Sequence, residues 1–132
     1  ALTMLHDEGM ANVFARHRRL ARATQLAVEG WGLENLCVNT DECSNSTTAV
    51  LMPDGHDADA LRNIILDRFN MSLGMGLGKV QGTVFRIGHI GDFNELMMLG
   101  TLSGVEMGLS IAGVPHNKGG VNAAMEFLAS TK

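Results

Sequence analysis

The hydrophobic period changes along this chain in an order that leaves few folds open. Leu5, Val13, Phe14, His17, Leu20, Thr24, Val28 and Trp31 recur at three- and four-residue steps. They describe one amphipathic helix from about Leu2 to Trp31, with Gly30 and Gly32 near its C-terminus. "ENLCV" can form a short strand. "TTAVLM" at 47–52 forms a better one, β-branched and apolar and closed by "PDG". "DADALRNIILDRF" returns to helical spacing, with Leu61, Ile64, Ile65 and Phe69 as its buried stripe. Asp57 and Asp59 fall in its first turn, where carboxylates suit the positive end of the helix dipole. "MSLGMG" is a weak strand and "TVFRIG" at 83–88 a strong one; helices from about Asp92 to Ala112 and from about Val121 to Ser130 follow. This order defines an α+β fold, a small and mostly antiparallel sheet with helices packed on one face. The 132 residues make one such domain, residues 1–132.

Composition narrows the function. With 45% hydrophobic and 18% charged residues the chain is globular rather than disordered. A formal charge of −4 argues against nucleic acid or an acidic membrane as partner. The one basic cluster, Arg16-His17-Arg18-Arg19 with Arg22 a turn on, has no interleaved aromatics and reads as a solvated helix face. Cys37 and Cys43 lack metal-ligand spacing and a neighbouring histidine, so reduced, inert thiols in a cytoplasmic protein are expected. Leu96 to Pro115 is long and apolar, with glycines at 100, 104 and 108 and a single charge, Glu106. That central carboxylate opposes membrane insertion by roughly 2.5–3.5 kcal/mol, and "GDFNE" before it reads as a helix cap. The glycines suit a helix lying close against its neighbours. The opening "ALTMLHDEG", without initiator methionine, signal peptide or capping residue, reads as a point inside a longer protein.

"GMGLGKVQGTVFRIGHIGD" carries the remaining chemistry. A phosphate loop needs two glycines bracketing four residues and then Lys-Ser/Thr. Here Gly74, Gly76 and Gly78 are too close together, Lys79 precedes Val80, and a strand rather than a helix follows. The nucleotide reading fails. Along an extended "TVFRIGH", Phe85, Ile87 and His89 point one way, while Val84, Arg86 and Gly88 point the other. The first set suits the helix-covered face, with His89 a packed or capping residue. Arg86 is then accessible beside Gly88, and two roles stay open for it: a structural ion pair, or an anchor whose planar fork matches a carboxylate.

The same stretch, "SLGMGLGKVQGTVFRIGHIGDFNELMMLGTLSGVEMGL", resembles the C-terminal domain signature of the class V pyridoxal-phosphate aminotransferases, in the serine–glyoxylate and alanine–glyoxylate branch. "GMANVFARHRRLARATQLAVEGWGLE", "TAVLMPDGHDADALRNIIL" and "AGVPHNKGGVNAAMEFL" resemble that family in the same order, so the likeness covers essentially the whole chain. In the family, the arginine of "FRIGH" binds the substrate α-carboxylate, which implies that role for Arg86. The glycine-rich run, here with Gly76 and Gly78, lines the edge of the active site. The family's Schiff-base lysine, pyridine-nitrogen aspartate and phosphate-binding residues belong to a larger N-terminal domain and have no matching position here; Lys79 lies in small-domain context. The resemblance thus implies the C-terminal small domain of a transaminase that uses pyridoxal phosphate to move an amino group from serine or alanine to glyoxylate. It implies small amino acids and 2-oxo acids as substrates, the chain's own large domain as partner, and a homodimer. By itself the domain is expected to bind no cofactor, to be inactive, and to expose an apolar former interface. Two other readings use the same residues: a free-standing interaction or regulatory module, and an amino-acid-binding domain in which Arg86 binds without chemistry.

Overall fold

In the computed structural model, residues 1–131 are described. The elements run α1 (Leu2–Glu8), α2 (Met10–Gly30), β1 (Glu34–Asn35), β2 (Thr47–Leu51), α3 (Ala58–Phe69), β3 (Gly74–Met75), β4 (Val84–Gly88), α4 (Glu95–Ile111) and α5 (Gly120–Ser130). Single 3-10 turns stand at Thr40–Glu42 and Gly78–Val80. The four strands form one sheet in the order β1-β2-β4-β3, antiparallel throughout. The fold is α+β.

Strand alternation sets the two faces of the sheet. Thr48 and Val50 of β2 and Phe85 and Ile87 of β4 are buried against the helices, with Trp31, Leu61, Met98 and Leu102 in the same core. Val84 is buried as well, although it alternates with them. Close helix contacts depend on missing side chains. A Cβ on Gly30 would stand 2.9 Å from the Cα of Gly120, so α2 and α5 meet almost backbone to backbone. On α4, a Cβ on Gly108 would reach within 2.6 Å of Ile65 Cδ1, and one on Gly104 within 2.7 Å of Met71 Cε. Two of the three glycines on that helix therefore serve packing, while Gly100 faces open space. Among the described residues, no helix is long and apolar enough to cross a membrane.

Several local expectations need correction. The first helix is two, not one: Gly9 breaks it at φ 83° and ψ 130°, a conformation glycine reaches without the Cβ penalty. Phe14 is 59% exposed and lies outside the buried stripe, which runs through Val13, His17, Leu20, Thr24 and Val28. It lines, with Leu5, Met10, Val13 and Ile90, an apolar groove of about 420 Å³. Asp57 is the N-cap of α3 rather than a first-turn residue, accepting from the Asp59 N–H at 2.7 Å. Cys37 and Cys43 are not free thiols; they form a disulfide that closes the loop between β1 and β2. Nor is the basic cluster simply a solvated face. Arg16 binds the Glu8 carboxylate across the Gly9 break (2.7 and 2.8 Å) and the Gly91 and Phe93 carbonyls beyond β4 (2.9 Å each). Arg19 binds Glu95 and the carbonyls of Leu128 and Thr131. Arg18 alone of the four-residue run is exposed.

Candidate functional site

Arg86 sits in the middle of β4 on the face away from the helices. Its cross-strand neighbours are Ala49 of β2 and Gly74 of β3, two of the smallest residues available. The side chain therefore lies between low walls and is half-buried. Its Nε donates to the Met75 carbonyl at 2.9 Å, which fixes the plane of the guanidinium. The arginines of the described ion pairs are Arg16, Arg19, Arg22 and Arg62; among the described residues Arg86 meets no carboxylate. With Nε occupied, the Nη1–Nη2 end of the fork has no partner among the described residues, and that end matches a carboxylate through two parallel charge-assisted bonds. The structural ion-pair role left open by the sequence has no partner here.

The candidate glycines divide differently from the sequence reading. The clearing at the guanidinium comes from Gly74 across the ladder, not from Gly88 on the same strand, where an added Cβ would meet nothing within 4 Å. Gly76 is buried, and a Cβ there would collide with the Val80 and Val84 carbonyls. Gly78 has φ +58° and opens the 3-10 turn. Both shape the chain after β3, and neither stands against the guanidinium. Sequence reasoning had no signal for Gly74 or Ala49, because both are placed by strand register.

The histidines near β4 are structural. His89 is fully buried; its Nδ1–H donates to the Asn45 carbonyl (3.1 Å) and its Nε2 accepts from the Thr48 hydroxyl (2.9 Å). Burial pushes its pKa down to about 4, so the ring is neutral at pH 7. His17 Nε2 accepts from the Gly91 N–H at 3.1 Å, which leaves its Nδ1–H for the Val13 carbonyl at 2.7 Å. A cavity of about 160 Å³ lies beside the disulfide, lined by Gln25, Asn35, Thr47 and Ala49 among others, but it does not include Arg86. Among the described residues no group of three or more metal-ligating side chains comes together. Lys79 and Lys118 are both exposed, so the described residues give no enclosed amine to hold a carbonyl cofactor. They do not by themselves fit pyridoxal phosphate.

The antiparallel sheet with helices packed on one face is the fold this chain shares with solved aminotransferases. In sequence and fold the chain is similar to the C-terminal portion of class V aminotransferases. It is 49% identical over 129 residues to serine–glyoxylate aminotransferase of Arabidopsis thaliana, covering 97% of this chain and 32% of that enzyme. It is 41% identical over 125 residues to L-aspartate–glyoxylate aminotransferase of Paracoccus denitrificans, covering 94% and 32%. The solved pyridoxamine–pyruvate aminotransferase of Mesorhizobium loti superposes with a TM-score of 0.91 at 30% identity, over 98% of this chain and 33% of that one. The chain thus spans about a third of the length of the curated relatives it matches. No protein-family profile matches it.

Proposed function

We propose that this chain is the C-terminal small domain of a pyridoxal-phosphate-dependent transaminase that moves an amino group from serine or alanine to glyoxylate. Arg86 holds the carboxylate of the amino acid or 2-oxo acid. The observation that carries this is the guanidinium on the open sheet face, pinned through Nε and with no carboxylate of its own among the described residues. The activities after which the relatives are named, serine–glyoxylate and aspartate–glyoxylate transamination, support this substrate class. The cofactor and the lysine that carries it lie in a larger N-terminal domain, and the assembled enzyme is a homodimer. Once bound, the cofactor supplies an electron sink for the amino acid's Cα. The part played by this chain is orientation. Two bonds from one planar fork restrict rotation of the substrate about its carboxylate, which sets the direction of the Cα–H bond. By itself the domain binds no cofactor and performs no transamination.

The test is steady-state kinetics on the complete polypeptide, wild type against Arg86→Ala and Arg86→Lys, with amino acids and with amines that lack a carboxylate. A loss confined to carboxylate-bearing substrates supports the role. Equal loss on both sets would make Arg86 structural.

A further inference from the structure

We propose that Gly74 is the positioning residue of the carboxylate site, holding the Arg86 fork in place by having no side chain; the inference rests on the reading of Arg86 given above. Gly74 and Arg86 are cross-strand partners. A Cβ built on Gly74 would stand 3.1 Å from Arg86 Cβ, 3.2 Å from Nε and 3.5 Å from Cζ. The guanidinium stem therefore lies directly over the Gly74 backbone. Nothing else among the described residues requires glycine there. Its φ is not positive, unlike those of Gly78 and Gly82 nearby, so any residue can adopt its conformation. Glycine weakens a strand, and β3 has only two residues to begin with. A residue that costs strand stability and is not needed for the turn is accounted for by the close approach alone.

The consequence follows from the geometry of the neighbours. The next residue, Met75, supplies the carbonyl that accepts from Arg86 Nε at 2.9 Å. One two-residue strand thus provides both the clearance under the guanidinium and the acceptor that fixes its plane. A methyl group at position 74 presses on Arg86 Cβ and Nε, so the side chain must give by a few tenths of an ångström, which strains the Met75 bond and loosens the guanidinium. The Nη1–Nη2 end is then less firmly aimed. Arg86 itself is untouched and still charged, so attraction persists while orientation is weakened.

The experiment uses the complete polypeptide carrying Gly74→Ala, Arg86→Ala and both. Gly74→Ala is expected to lower kcat/KM for amino acids by about three- to tenfold, a fraction of what an ångström-sized misplacement costs, with kcat falling more than KM rises. Amines lacking a carboxylate should react at the wild-type rate, the urea midpoint should not fall, and Gly74→Ala should add nothing in the Arg86→Ala background. An unchanged kcat/KM for amino acids, an equal loss on carboxylate-free amines, or a full loss retained in the Arg86→Ala background would each overturn the role of Gly74. Those outcomes leave the role of Arg86 standing. If Arg86→Ala itself fails to distinguish the two substrate sets, the underlying reading falls, and this inference with it.

Discussion

The indole N–H of Trp31 donates to Glu106 Oε2 at 2.7 Å, joining the end of α2 to α4. The same carboxylate accepts the backbone N–H groups of Gly119 and Val121 at the start of α5, at 3.3 and 3.2 Å. Burial works against its charge, but the Trp31 and backbone donors outweigh that and hold the carboxyl below the usual carboxylate value. The one charge in the apolar stretch Leu96 to Pro115 is thus a junction of three helices. Glu106→Ala should cost about 1–3 kcal/mol, chiefly by stranding the buried Trp31 N–H. Glu106→Gln, which keeps an acceptor, should cost less. Urea titration checks both; an Ala variant as stable as wild type would remove the junction.

His89 should make stability fall in mild acid. Its folded pKa is pushed down to about 4 by burial, from an ordinary value near 6.5. Between those values the unfolded chain takes up a proton that the folded chain refuses. The contribution is therefore fully present above pH 6.5 and is lost as the pH drops toward 4, on the order of 3 kcal/mol in all. Denaturant midpoints across pH 4 to 7 should show this slope in wild type and a shallower one in His89→Gln. The same slope in both would place the acid sensitivity elsewhere.

The Cys37–Cys43 bridge closes a short loop, with six positions separating its ends. Chain-entropy arguments give such a bridge roughly 2 kcal/mol. A dithiol reductant, or Cys37→Ser with Cys43→Ser, should lower stability by about that amount. Alkylation of the unfolded protein should label both cysteines only after reduction. Labelling without reductant would show free thiols.

Two glycines on α4 should respond with opposite sign. Gly108→Ala drives a methyl into Ile65 and should destabilise by about 1–3 kcal/mol. Gly100→Ala meets nothing and should stabilise by roughly 0.5–1 kcal/mol, because alanine is the better helix former. Thermal melts of the pair decide it; matching shifts would mean that α4 does not pack closely on α3 at Gly108.

For Arg86, a single charge-assisted hydrogen bond is worth roughly 1.5–3 kcal/mol, and the fork offers two with a fixed angle. Arg86→Ala in the complete polypeptide should lower kcat/KM for amino acids by about two to four orders of magnitude. Arg86→Lys should recover little, since an ammonium brings charge without the plane. Full recovery by lysine would show that charge alone suffices.

Periodicity carried the helices and both five-residue strands, because each presents a repeating apolar face that the core must cover. The orientation of Arg86 followed from the same alternation. What escaped was set by single atoms or by register. The Gly9 break lies within a stripe that continues on either side. The disulfide depends on a loop path that spacing does not determine. The neighbours of Arg86 at 49 and 74 are fixed only once the strands pair, and Arg16 and Arg19 looked solvated because several of their acceptors are backbone carbonyls far along the chain.

The outer strands β1 and β3 are only two residues long, and both sheet edges therefore end almost where they begin. The longer β2 is shielded past its partner by the chain leading into the bridged loop, where the Leu36 N–H bonds the Ala49 carbonyl. An incoming strand from another molecule finds too few free amides in a row to dock as a fifth member of the sheet. The sheet is closed to polymerisation by brevity.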